Sequence, residues 1–273
     1  MKFLEELFKN LRFNLNFISI VYSIKTKEEI KILKEGGRIL SKILKRVALE
    51  TKVGVSAKYL DDFAYKLIKK SGGEPSFLNY KPDFALKPFP NSLCVSVNEV
   101  IVHGLPKEDL IFKNGDVVSL DLGIKYKNLF TDMALTVGVG KVKPLYQKLI
   151  RAGRGALNEA IKTIRANKRI GDIGWAIENY AKKNGFVVVK ELVGHGVGYK
   201  PHEDPFVYNF GEKNTGLVLK EGMVIAIEPM ITLKNGAIRE NSDGSFSTLN
   251  NEVAVHFEKT VAVLKNKALV ITP

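Results

Sequence analysis

The chain has 273 residues, 45% of them apolar and 26% charged, and carries 42 Lys and Arg against 29 Asp and Glu, a net charge of +13. That length buries about three-quarters of the unfolded surface on folding. Cys94 is the only cysteine, which excludes an intrachain disulfide framework and a cysteine-rich zinc module and favours a reducing, cytoplasmic setting. The histidines are His103, His195, His202 and His256, so any metal site is built mostly from carboxylates. The positive balance suits a polyanionic neighbour. No basic run interleaved with aromatics appears, however, and no DNA partner is expected.

Residues 1–21 place Leu4, Leu7, Phe8, Leu11 and Leu15 at helical spacing. Glu5, Glu6, Lys9 and Arg12 interrupt them, so this reads as an amphipathic leader, neither a secretory signal nor a membrane span. No later stretch approaches the ~20 apolar residues of a span. From Thr26 the pattern becomes regular. Thr26 caps an expected helix to about Leu49, and Ser56 caps a second to about Lys70, before Gly72-Gly73. A third helix is expected from about Pro144 to Arg165, and a fourth, capped by Asp172, stops at Gly185. Gly37-Arg38 recurs as Gly153-Arg154 and Gly54 as Gly171 at nearly the same offset, which suggests a duplicated unit of two helices followed by strands.

The strands gather the acids. In Asp116–Ile124, Val118, Leu120, Leu122 and Ile124 share one face, and Ser119, Asp121 and Gly123 the other. After a turn at Lys125–Asn128, the return strand sets Met133, Leu135 and Val137 against Asp132, Ala134 and Thr136. The stretch Glu252–Val263 alternates in the same way, with Ala254, His256, Glu258, Thr260 and Ala262 opposite an apolar set. Glu228 shares its face with Val224 and Ala226. Taken singly, each carboxylate reads as a strand-edge acid in water. Taken together, acids on faces lined by small side chains and lacking any Lys or Arg point to divalent cations, because buried carboxylates need compensating charge. His195, flanked by glycines, and His202 supply nitrogen donors; His103 sits at a strand end.

Five stretches then resemble the type I methionine aminopeptidases of the pita-bread fold. They are Asn98–Pro106, Ser119–Asp121 with Asp132 following, Gly194–Gly198 with His202-Glu203, Ile227–Met230, and Phe257-Glu258. The similarity runs from about Tyr22 to Thr272. It implies an α+β fold of two pseudo-twofold-related α/β halves around a curved, mainly antiparallel sheet. It also implies one catalytic domain over residues 22–273, with halves of about 22–140 and 141–273. Implied metal ligands are Asp121, Asp132, His195, Glu228 and Glu258, holding two divalent ions (Co, Mn, Fe, Ni or Zn). Implied catalytic residues are His103, His202 and Glu228, and the substrate contacts are His103, His202, Phe89 and Cys94.

The implied activity is that of a hydrolase: metal-activated water excises the N-terminal initiator methionine from nascent chains whose second residue is small. A cytoplasmic monomer with the ribosome surface as its polyanion is the matching expectation. Pro201, Ser245-Phe246 and His256 depart from the family's pocket pattern, His256 standing where Gln is usual. A related peptidase cutting before proline would share all five ligands, and a non-catalytic adapter binding RNA or protein would use the basic surface.

Overall fold

Capping chemistry sets the first helix, α1 (Lys27–Glu50): the Thr26 hydroxyl accepts from the Glu29 N–H, and the Glu29 carboxylate accepts from the Thr26 N–H. The structure is a computed structural model that describes residues 22–82 and 87–273, and the expected leader lies outside those residues. The Ser56 hydroxyl caps α2 (Ala57–Lys70) by accepting from the Tyr59 N–H. Later come α3 (Pro144–Thr163), opened by its proline, and α4 (Ile170–Lys183). Asp172 is not the cap residue of α4. It stands inside the first turn, where its carboxylate accepts from Arg169 N (3.0 Å) and Asn214 N (2.9 Å), so it ties the helix to a distant loop.

The strands follow as β1 (Glu74–Pro75), β2 (Leu93–Val97), β3 (Val100–Val102), β4 (Val117–Tyr126), β5 (Leu129–Gly138), β6 (Val187–Val188), β7 (Val193–Gly196) and β8 (Glu203–Tyr208). Then come β9 (Val224–Ile227), β10 (Met230–Thr232), β11 (Ile238–Glu240), β12 (Phe246–Thr248), β13 (Ala254–His256), β14 (Lys259–Val263) and β15 (Ala268–Val270). Among the described residues all the strand pairs are antiparallel. β4 is flanked by β5 on one edge and by β1 and β2 on the other, and a second sheet runs β15-β14-β9-β7-β8. The β4–β5 hairpin turns in two residues, Lys127 and Asn128, both with positive φ (47° and 64°), the geometry that matches strand twist.

Each helix pair covers one part of the sheet system. One core cluster joins α1 and α2 to β2, β4 and β5 through Leu40, Leu44, Leu60, Val118, Leu120 and Leu122. Another joins α3 and α4 to Ile225, Ile227, Val255, Phe257 and Val261. Two of the repeated glycines, Gly37 and Gly153, are points of close approach, whereas Gly54 has open space around it. A Cβ on Gly37 would lie 2.3 Å from the Ile271 carbonyl oxygen, and one on Gly153 would lie 2.8 Å from Phe257. The Gly37 and Gly153 part of the repeat therefore marks where α1 and α3 press against the chain just after β15 and β13.

The two sheets are sewn together along β5. Glu258 N donates to Ala134 O (2.8 Å), Thr260 Oγ1 accepts from Asp132 N (2.9 Å) and donates to Asp132 O, and Thr136 Oγ1 donates to His256 O. The expected continuous strand over Glu252–Val263 instead breaks at Phe257-Glu258, where the chain passes from β13, paired with β10, to β14, paired with β9. That crossing puts Glu258 beside Asp132.

Candidate metal centre

Four acids and a histidine converge on this seam from separate strands. Asp121 lies on β4 opposite Ala134, and Asp132 lies on β5 opposite Gly123; the pairing keeps both on the face away from the Leu120 core. His195 comes from β7, Glu228 from the residue after β9, and Glu258 from the β13–β14 crossing. Donor atoms of Asp132, His195 and Glu258 lie within 4.8 Å of one another. Glu228 joins them through Oε1, 3.4 Å from His195 Nε2. All but Asp121 are buried.

Among the described residues no Lys or Arg pairs with these acids. Burial, followed by the charges of Asp132 and Glu228, pushes the Asp121 carboxyl well above its ordinary range. Burial and then Glu228 raise Asp132 to about 7, although Met133 N donates to it. Burial raises Glu228 to about 7, and burial with the neighbouring acids raises Glu258 well above its usual value. Asp121 Oδ1 and Glu258 Oε1 are buried without any hydrogen bond. A carboxylate-rich set with buried, unsatisfied oxygens fits divalent cations, which would supply the missing charge.

The other expected site residues surround this cluster. His202 stacks edge-on to His195 at 4.4 Å, with its Nδ1 3.1 Å from the Tyr80 hydroxyl. Burial, then the neighbouring His195 and His103, hold it well below the usual histidine range. His103 adopts a left-handed φ of 58° at the end of β3, packs against Phe246 at 5.9 Å, and is lowered to about 4, chiefly by burial. Both imidazoles are neutral at pH 7. Cys94 is buried opposite Asp121 on β2. Phe89 pairs its backbone with Asn79 and Tyr80 (2.8 and 2.9 Å), which brings it beside the tyrosine that touches His202.

Three further residues contribute to the site, of which Tyr80 alone is absent from the sequence reading. Tyr80 carried no local signal, because its partner is 122 residues away. Glu203 was read only as part of a motif, yet it anchors the His202 loop. His256 was legible as sharing a face with Glu258, and the structure brings its Nε2 to 3.3 Å from Glu228 Oε2. Open cavities of about 410 and 370 Å³ do not include the carboxylates; the second, lined by Tyr80, Phe130, Tyr199 and Pro201, lies beside His202.

Comparison with known proteins adds a second line of support. The sequence profile of metallopeptidase family M24 matches residues 31–265. The chain is 41% identical over 252 residues to the methionine aminopeptidase of Aquifex aeolicus, covering 90% of this chain and 97% of that one. It superimposes on the crystal structure of the Thermotoga maritima methionine aminopeptidase with a TM-score of 0.87 at 36% identity, over 92% of this chain and 99% of the other. The prolidase of Pyrococcus furiosus, at 24% identity and a TM-score of 0.70 over 98% of this chain and 68% of its own, shares the fold alone. With four acids and a histidine gathered on the pita-bread seam, and similarity along nearly its whole length, the chain belongs to metallopeptidase family M24.

Proposed function

We infer that this protein is a metal-dependent aminopeptidase that removes the N-terminal methionine from polypeptides whose second residue is small. The observation that carries the reading is the convergence of Asp132, His195 and Glu258 in a chain 41% identical to a methionine aminopeptidase. Asp121, Asp132, His195, Glu228 and Glu258 hold two divalent ions, and this oxygen-rich set accepts Co, Mn, Fe, Ni or Zn, with availability deciding among them. When bound, such ions polarise a carbonyl and acidify water towards neutral pH.

The remaining work falls to side chains of this chain. Neutral His202 donates a hydrogen bond to the oxygen that gains charge on the scissile carbonyl. Neutral His103 contacts the substrate amide and the leaving nitrogen. Glu228 moves a proton from the attacking water to that nitrogen, which is general acid–base work. Phe89 and Cys94 line the methionine pocket. Burial and then the Asp121 charge push the Cys94 thiol up, so it acts as an apolar wall and not a nucleophile.

The same reading takes residues 22–273 as one catalytic domain that acts as a monomer in the cytoplasm on nascent N-termini. Exposed Arg151, Arg154, Lys162, Arg165, Lys182 and Lys183 on and after α3 and on α4 offer a basic face for the ribosome surface. A salt-sensitive cosedimentation with ribosomes tests this partner; its absence refutes it. The activity itself is tested by mass spectrometry on Met-Ala-Ser and X-Pro peptides with Mn, Fe, Co, Ni and Zn in turn. Release of methionine from the first supports the reading, and cleavage confined to X-Pro peptides overturns it.

A further inference from the structure

His202 sits at the end of the loop between β7 and β8, which the Gly196–Glu203 pair closes. Within the loop, Val197 N donates to Val224 O and Gly198 N to Lys200 O, and the N–H groups of Tyr199 and Lys200 need acceptors of their own. The Glu203 side chain provides them. Its Oε1 accepts from Tyr199 N and Lys200 N, the latter at 2.9 Å. Its Oε2 accepts from the Ser23 hydroxyl and from Lys25 Nζ, the latter at 2.7 Å.

Ser23 and Lys25 come from the segment just before α1, 180 and 178 residues away. The Lys25 side chain is wholly buried in this pair, and its ammonium also donates to Ser23 Oγ. It crosses Gly198, where a Cβ would lie 2.3 Å from Lys25 Cε, and lies 4.6 Å from the centre of the Tyr199 ring. The Lys25 N–H anchors the segment on Gly222 O at 2.8 Å. Burial lowers the Lys25 pKa, while hydrogen bonds from Lys25, Ser23 and Lys200 outweigh burial and hold Glu203 below the usual carboxylate range. Geometry makes the two an ion pair shut away from water. A buried charge pair tolerates little displacement, since moving either partner strands the other. A loop held by such a pair has one position.

We propose that Ser23, Lys25 and Glu203 form a clamp through which the segment preceding α1 positions the His202 imidazole for the reaction. Lys25 and Glu203 are positioning residues, with no contact to substrate. The assignment rests on the reading of His202 as the group that stabilises charge on the scissile carbonyl. A misplacement of about 1 Å at such a group costs on the order of 100-fold in rate.

The test uses the metal-loaded full chain with K25M, E203Q, S23A, H202A and the K25M/H202A double variant. K25M and E203Q are expected to lower kcat by about ten- to a hundred-fold, with KM changed by less than about twofold. S23A, which leaves the charge pair in place, is expected to lower kcat less than either. Affinity for Mn, measured by calorimetry, is expected to be unchanged. In the H202A background, K25M is expected to have almost no further effect, because the clamp acts through the missing imidazole. Multiplying effects in the double variant overturn the proposal, as does a K25M defect confined to KM or to metal affinity.

With four histidines in the chain, imidazole NMR gives an independent readout. A shifted or broadened His202 resonance is expected in K25M, or in S23A and E203Q if K25M does not fold. An unmoved resonance refutes the clamp. An H202A enzyme of full activity instead refutes the role given to His202 and leaves the resonance test of the clamp intact.

Discussion

The imidazole of His256 approaches Glu228 to 3.3 Å, Nε2 to Oε2, and neither ring nitrogen makes a hydrogen bond. The contact is not an ion pair, because burial lowers His256 to about 4 and leaves it neutral at pH 7. It is an uncompleted donor–acceptor contact on the carboxylate that also faces His195 at Oε1. A cation on Glu228 would charge that carboxylate and strengthen the contact. Partners of this kind orient metal ligands, and their loss costs about 10–100-fold in affinity. His256→Leu is expected to weaken Mn binding by that factor, and His256→Gln, which keeps a donor, to weaken it less. Calorimetry checks this, and equal affinities for wild type and His256→Leu would exclude the role.

Asp132 and Glu258 face each other across the seam between β5 and the β13–β14 crossing. Replacing either with Ala removes a carboxylate from the cluster proposed to hold metal. Turnover of a Met-Ala-Ser peptide is expected to vanish in both variants, and the number of metal ions bound per chain to fall. Metal analysis after gel filtration reads the second effect; full occupancy with full activity would refute the assigned ligand set.

The metal-free protein carries a pH liability of definite sign. Burial raises the folded-state pKa of Asp132 and Glu228 to about 7, above ordinary values of 3.8 and 4.5. The folded state then binds more protons than the unfolded one, so their stability contribution is complete below about pH 4 and is lost as pH rises through about 7. Thermal denaturation of the stripped protein is expected to show a falling Tm over that window. Adding Mn should remove the fall, and Asp132→Asn should flatten it without metal. A Tm for the stripped protein that rises over the same range would contradict the argument.

Gly37 is a contact point and not a flexible one. A Cβ there meets the Ile271 carbonyl oxygen at 2.3 Å, and a backbone atom cannot swing aside. Gly37→Ala is expected to destabilise by about 1–3 kcal/mol, the ordinary cost of overpacking. Urea denaturation measures it, and a neutral or stabilising result would mean that the α1 contact relaxes freely.

Local physics was legible in the sequence wherever one segment contained all the actors. Thr26 and Ser56 cap their helices as expected, and the two-residue period of β4 and β5 put Asp121 and Asp132 on one face. The seam was less legible. The period of Glu252–Val263 gave the right faces, but the break at Phe257-Glu258 depends on which sheet each half joins, a matter of distant partners.

By itself, then, the sequence determined the helices, the strand faces, the donor types and, through five short stretches, the family. Periodicity and capping act within a few residues, and those are written in order along the chain. The tertiary structure alone decided that Lys25 would meet Glu203, Tyr80 would meet His202, and His256 would meet Glu228. Each of these is a contact between buried or half-buried polar groups brought together by the fold across long separations. Desolvation gives such contacts their strength, and it exists only once the fold has closed.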